Sequence, residues 1–298
     1  ITKIHIPDGL QKIGHRAFCS CRNLEEIEFP GSLKEIGADA FFTCYKIRSI
    51  VLPDSLEKLG GGAFSDCISL ESVDCVETGN PVGSERSDKS IGPGVFSNCI
   101  LLRSVEIPKG INNFNQYGGG YREVFSNNPN LEKVIITTGN ICEKTGLENC
   151  ENLRDLTLPS DLVMSKGFAA SYQSITNIVL CDGATSIRDN AFAGCRSLRH
   201  ISIPGSVRSI GKGAFDDCPE LGHGVVVVDD CAICINEPYQ KDLVIPDGVR
   251  LIAAGICEMA PDIVSLRIPN SVTDLGEDVT SGCDSLEEIT IASAVETM

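Results

Sequence analysis

Fifteen cysteines, four histidines and forty-one Asp and Glu residues are the groups of this 298-residue chain best suited to chemistry. A thiol becomes a nucleophile or a metal ligand once ionised, and it then needs a base or further ligands within reach. Eight of the cysteines stand at Cys21, Cys44, Cys67, Cys99, Cys150, Cys195, Cys218 and Cys283, each three residues past a Phe or its counterpart. A position filled eight times is not one activated nucleophile. It fits a small buried thiol, packed in a ladder and offering its S–H to a turn carbonyl. Disulfides between ladder neighbours require matched Cβ directions as well as proximity, so the expectation is free thiols. Cys142 and Cys257 occupy columns that are otherwise apolar and are expected in the core. Cys231 and Cys234 form a CxxC, with His223 eight residues earlier. A zinc site needs a fourth ligand, usually from a second pair, and two strand residues three apart point to opposite faces. A structural role or a local disulfide is expected there rather than a metal or redox centre.

The remaining candidates are sparse. His5, His15, His200 and His223 belong to no HExxH pattern, and neither a GxSxG elbow nor a kinase set is present. Gly118–Gly120 lacks the Lys-Ser/Thr that a phosphate loop requires, so a flexible loop is the better reading. The carboxylates are spread over every part of the chain, as a solvated surface would have them. No catalytic group, metal or cofactor is expected, and an enzyme is the weaker hypothesis. The net charge of -16 repels phosphates, which argues against nucleic acid and against anionic membrane surfaces. No apolar run approaches the length of a membrane span, and no signal peptide is visible. The chain opens on ITKIHIPDGL and closes on EEITIASAVETM, both inside a repeat, which reads as the ordered part of a longer protein.

That repeat is what must position everything else. The Phe position recurs at Phe18, Phe41, Phe64, Phe96 and Phe125, continues at Leu147 and Ala169, returns at Phe192 and Phe215, and resumes at Cys257 and Thr280. The commonest step is 23 residues. Five before this anchor stand residues such as Ile13, Ile36, Leu59, Ile91, Ile187 and Ile210. Six after it stand Leu24, Ile47, Leu70 and Leu102, and nine after it Ile27, Ile50, Val73 and Val105. Pro closes many units, at Pro7, Pro30, Pro53, Pro108, Pro159, Pro204, Pro246 and Pro269. About a dozen units cover the chain. A stretch such as LEEIEFP alternates like a strand with one buried face, and Pro30 ends it. One 23-residue unit cannot bury its own apolar face, but stacked copies can, with their strands pairing in parallel. The Gly after the return segment (Gly14, Gly37, Gly60, Gly92, Gly211 and Gly276) is expected to take a backbone angle that other residues avoid. The AFxxC stretch is expected to form one helical turn.

The pattern LxxIxIPxxLxxIGxxAFxxCxx resembles the BspA-like leucine-rich repeat, the LRR_5 type, across essentially the whole chain. The resemblance implies a leucine-rich-repeat solenoid, mostly β, with a parallel sheet on one face. It also implies a cell-surface or secreted protein concerned with adhesion and with binding other proteins.

Three segments depart from the period. Residues 77–90 and 109–124 carry extra residues and read as surface loops. Residues 222–246, GHGVVVVDDCAICINEPYQKDLVIP, read as a β-hairpin that interrupts the solenoid and divides it into blocks 1–221 and 247–298. On each strand the side chains eight and ten past the anchor face away from the core. Glu26, Glu28, Asp74, Glu106, Lys133, Asp155, Asn177, His200 and Arg267 are therefore candidates for contact with a protein ligand. They include no aromatic anchor of the kind that dominates binding hot spots, so Tyr117, Tyr121 and Arg122 in the second insertion are rivals. The expected function is a non-enzymatic protein-binding scaffold. The alternatives are a structural spacer or assembly subunit, or a repeat domain attached to an enzyme.

Overall fold

The computed structural model describes residues 1–76, 89–111, 113–114, 123–138, 145–159, 173–236, 241–258 and 260–292. The chain divides into two units, Ile1–Leu162 and Val163–Met298.

Among the described residues of the first unit, the repeats contribute seven longer strands and five short return strands. The longer strands are Lys3–His5, Glu26–Glu28, Ser49–Leu52, Ser72–Cys75, Ser104–Ile107, Lys133–Ile136 and Asp155–Leu158. They pair in parallel and in register, Ile4 on Ile27, Ile50 on Val73, Val73 on Val105, Val105 on Val134 and Val134 on Leu156. The return strands Lys12–Ile13, Glu35–Ile36, Lys58–Leu59, Ser90–Ile91 and Asn113–Phe114 form a second parallel ladder. Leu, Ile and Val from both ladders are buried between them, with Ile36, Leu59, Leu70 and Val73 fully so. Phe18, Phe41, Phe64, Phe96 and Phe125 stack ring on ring, with centroids 5.1 to 6.1 Å apart. This stack, with Phe29 edge-on against Phe41 and Phe64, supplies the aromatic packing of a chain without Trp.

The stretch around Phe18, Phe41, Phe64, Phe96, Phe192 and Phe215 differs from the helical turn expected. It is a run of tight turns whose N–H groups alternate in direction. Ala40, Phe42 and Cys44 donate to the carbonyls of Gly37, Asp39 and Phe41 in their own repeat, while Asp39, Phe41 and Thr43 donate to Gly61, Ala63 and Ser65 of the next. The alternation requires left-handed residues two before and two after the anchor. These are Asp39 (φ 54) and Thr43 (φ 58) here, with Gly62 and Asp66 as their successors. A 3-10 helix forms at one anchor, Leu147–Asn149.

The glycine column also has a different cause from the one expected. Gly37, Gly60, Gly92, Gly211 and Gly276 do not have positive φ. They are glycines because a Cβ would strike the previous repeat. At Gly60 it would lie 2.4 Å from the Ala38 nitrogen, and at Gly276 2.3 Å from that of Ala254.

The second insertion contains an element that was expected to be loop. Asn113–Phe114 pairs with Ser90–Ile91 as the return strand of its repeat, and Ile111 and Phe114 are buried.

The second unit repeats the plan, with Asn177–Leu180 paired to His200–Ser202 and Ser186–Ile187 paired to Ser209–Ile210. Phe192 stacks on Phe215 at 5.3 Å. Gly224–Val228 and Cys231–Asn236 then form an antiparallel hairpin around Asp229 and Asp230. Cys231 and Ala232 serve as a return strand, pairing in parallel with Leu251–Ile252. The Asp230 carbonyl accepts the N–H groups of Arg250 and Leu251, just as that of Gln11 accepts Lys34 and Glu35 in a regular repeat. Asp242–Val244 restarts the longer ladder and pairs with Ser265–Ile268, which pairs with Glu288–Ile291.

Candidate functional site

Parallel pairing in strict register places the outward side chains in two columns. In the first unit Lys3 stands beside Glu26 and His5 beside Glu28, and from Ser49–Leu52 onward one column runs Ser49, Ser72, Ser104, Lys133, Asp155 and the other Val51, Asp74, Glu106, Ile135, Thr157. Neighbours within a column stand one strand spacing apart, about 4.8 Å. The second unit sets Asn177 beside His200, and Asp242, Ser265 and Glu288 in one column beside Val244, Arg267 and Thr290. Glu26, Glu28, Asp74, Lys133, His200 and Arg267 are exposed, whereas Glu106, Asp155 and Asn177 are half-buried. Tyr117, Tyr121 and Arg122 lie outside the described residues.

Several of these groups are engaged within the sheet. Lys3 Nζ lies 2.7 Å from Glu26 Oε2, which raises the lysine's pKa and lowers the glutamate's. Ser72 donates to Asp74 at 3.0 Å and Ser265 to Asp242 at 2.7 Å. Val51 and Val244 present about half of their surface to solvent, 47 % and 55 %. Four members of the columns, Lys3, His5, Asp242 and Val244, are missed by counting from the Phe anchor. The IHIP and LVIP that end at Pro7 and Pro246 mark both strands.

The thiol column does the work expected of it. Cys44, Cys67, Cys99 and Cys218 donate to the anchor carbonyls Phe18, Phe41, Phe64 and Phe192 of the preceding repeat at 3.2 to 3.3 Å. Burial pushes the Cys44 and Cys218 thiols up to about 12 and raises those of Cys67 and Cys99 as well. These are groups kept protonated, the reverse of an activated nucleophile. Asn128 fills the column where Cys is missing and donates 2.9 Å bonds to Phe96 and Phe125, but its Oδ1 is buried without a partner. Cys231 and Cys234 are buried free thiols, both pushed up to about 12 chiefly by burial. Cys142 lies outside the described residues.

Arg250 ties the hairpin to the return ladder. Its Nε lies 2.7 Å from Asp230 Oδ2 and its Nη1 3.1 Å from Asp274 Oδ2. The bond from Arg250 holds the Asp230 carboxyl below the usual range. Nearby, an open cleft of about 540 Å³ is lined by Ser186, Arg188, Asp189, Ser209, Gly211 and Glu277 among others. Among the described residues no group of three His, Cys, Asp or Glu is arranged to hold a metal ion, and no helix is long and apolar enough to cross a membrane.

Solved structures similar to the chain include a leucine rich cell surface protein of Faecalibacterium prausnitzii A2-165, at 19 % identity over 96 % of this chain and 70 % of that one, with a TM-score of 0.35. The pneumococcal vaccine antigen PcpA is 20 % identical over 97 % and 68 %, with a TM-score of 0.38. An internalin of Listeria monocytogenes is 10 % identical over 90 % and 74 %, with a TM-score of 0.43. Comparison with curated proteins gives no match. The family described as BspA type Leucine rich repeat region matches residues 1–118, 84–165, 119–226 and 235–298. With its columns of Leu, Ile, Phe, Gly and Cys each given a structural task, the chain belongs to the BspA-type leucine-rich-repeat family.

Proposed function

We propose that the chain is a non-enzymatic scaffold that binds a protein through the outward columns of its longer strands, and that it does so at a cell surface or outside the cell. The observation that carries this reading is the division of labour among the columns. The Leu, Ile, Phe, Gly and Cys columns are consumed by packing and turn closure, whereas the two outward columns vary from strand to strand and reach solvent. A surface that is regular in geometry and varied in chemistry suits recognition of an extended partner. Family membership supports exposure outside the cell, and the thiols are compatible with it. Buried, protonated and engaged by carbonyls, Cys44, Cys67, Cys99 and Cys218 resist oxidation.

The second reading, a structural spacer, is favoured by one observation. Lys3 with Glu26, Ser72 with Asp74 and Ser265 with Asp242 satisfy one another, and no aromatic side chain stands among them. A binding experiment separates the two. The chain would be immobilised and exposed to a panel of purified serum and extracellular-matrix proteins. Binding that is lost in V51R/D74R but retained in a variant altered in an exposed turn outside the columns, such as I68S, supports the recognition reading. Binding unaffected by V51R/D74R, or no binding at all, favours the spacer.

A further inference from the structure

We propose that alternating charges along the first unit set the order in which its repeats stack. Its Leu, Ile, Val and Phe columns are nearly the same in every repeat, so apolar burial hardly distinguishes an adjacent repeat from the next but one. The charged columns do distinguish them. Seven residues past the anchor the chain reads Glu25, Arg48, Glu71, Arg103, Glu132, Arg154, a strict alternation over six repeats. Backbone bonds from Glu71 to Arg48, Arg103 to Glu71, Glu132 to Arg103 and Arg154 to Glu132, at 2.7 to 2.9 Å, hold Arg48 through Arg154 in successive register, and Glu25 meets the second repeat through Lys46, whose Nζ lies 3.2 Å from its Oε1. Arg103 Nη1 lies 3.4 Å from Glu132 Oε1. The return ladder alternates as well. Glu35 bridges Lys12 at 2.9 Å and Lys58 at 3.7 Å, and Lys34 meets Glu57 at 3.2 Å, with Lys89 next in that column.

Each stacking error that skips one repeat then confronts like charges. Joining the first repeat to the third sets Glu25 on Glu71 and Lys12 on Lys58. Joining the second to the fourth sets Arg48 on Arg103 and Lys34 on Lys89. The next two skips set Glu71 on Glu132 and Arg103 on Arg154. Like charges directly opposed across a strand pair disfavour that pairing, and early encounters between unstacked repeats are where near-equivalent pairings compete. Exposed pairs of this kind add little to the stability of the finished fold. Their effect lies in the choice between partners. In the second unit the same column reads Thr176, Arg199, Lys241, Val264, Glu287 and does not alternate.

The test refolds the 298-residue chain from urea under reducing conditions at low ionic strength and measures the protease-resistant, monomeric fraction. Wild type is compared with a neutral column, E25Q/R48Q/E71Q/R103Q/E132Q/R154Q, and with an inverted column, E25R/R48E/E71R/R103E/E132R/R154E. All three carry the same net charge. The neutral column is expected to refold with a yield lower by roughly two- to fivefold, and the inverted column with the wild-type yield. Molar salt should bring wild type and the neutral column down to one common yield, the neutral column falling by less because only its return-ladder charges remain to be screened. The proposal is overturned if the neutral column refolds as well as wild type. It is overturned equally if its lost yield is matched by lost equilibrium stability, because the charges would then be ordinary stabilising contacts. Should a variant fail to fold, the wild-type salt series decides, and a salt-independent yield overturns the proposal.

Discussion

A thiol that donates to a carbonyl of the previous repeat is both a packing group and a hydrogen bond. Cys67→Ala removes both and is expected to cost about 1–2 kcal/mol in urea unfolding. Asn128→Cys should do the opposite. It keeps a donor to Phe96, gives up the amide's second bond to Phe125 and removes the buried, unpartnered Oδ1, for a net gain of about 1 kcal/mol or less. If N128C is less stable than wild type, Oδ1 has a partner that geometry alone does not reveal. The same thiols set an alkaline limit. Their ordinary pKa is near 9, and burial moves Cys44, Cys195, Cys218, Cys231, Cys234 and Cys257 up to about 12. Below pH 9 folded and unfolded chains alike keep these protons, so stability does not vary on their account. Between pH 9 and 12 the unfolded chain releases them while the folded chain holds them, and stability falls as pH rises. The urea midpoint measured across that range should decline steeply, and a flat profile would remove burial as the cause.

At the scale of the element, the turn after the return strand depends on a missing Cβ at Gly37, Gly60, Gly92, Gly211 and Gly276. Gly60→Ala would press a methyl group 2.4 Å from the Ala38 backbone, which cannot yield without moving a repeat. A loss of about 3 kcal/mol or more is expected. Gly14→Ala in the same column meets nothing within 4 Å and should change stability by less than about 0.5 kcal/mol. Equal effects at the two sites would contradict steric contact as the reason for glycine. The ladders themselves were legible in the amino-acid sequence, because a 23-residue period with alternating Ile and Val admits few other solutions. The reason for the glycines was not. Close approach to a neighbouring repeat and an unusual backbone angle leave the same mark on a sequence, and the left-handed positions turned out to be Asp39 and Thr43, which look like ordinary polar turn residues. The strand Asn113–Phe114 was hidden for a different reason. Counting back from Phe125 misses it, but counting forward from Pro108 finds it at the spacing by which Lys12–Ile13 follows Pro7.

For the molecule as a whole, thiol access gives the most direct check on the packed ladder. At neutral pH a thiol reagent should react first with the partly exposed Cys19 and Cys21, and with buried thiols such as Cys67 and Cys99 only as repeats open. All fifteen should react after denaturation. Rapid reaction of most thiols in the folded chain would mean that the columns are not closed. The candidate recognition surface was partly legible. The period gave the outward positions, but not that Lys3 would neutralise Glu26 or that Glu106 and Asp155 would sink to half-burial, since these depend on which side chains become neighbours. The alternating column also bears on how a gene of this kind can grow. Duplicating or deleting one repeat in the first half sets like charges against each other at the junction, whereas gaining or losing two together leaves the alternation whole. Selection on such a gene would favour lengths that change in pairs.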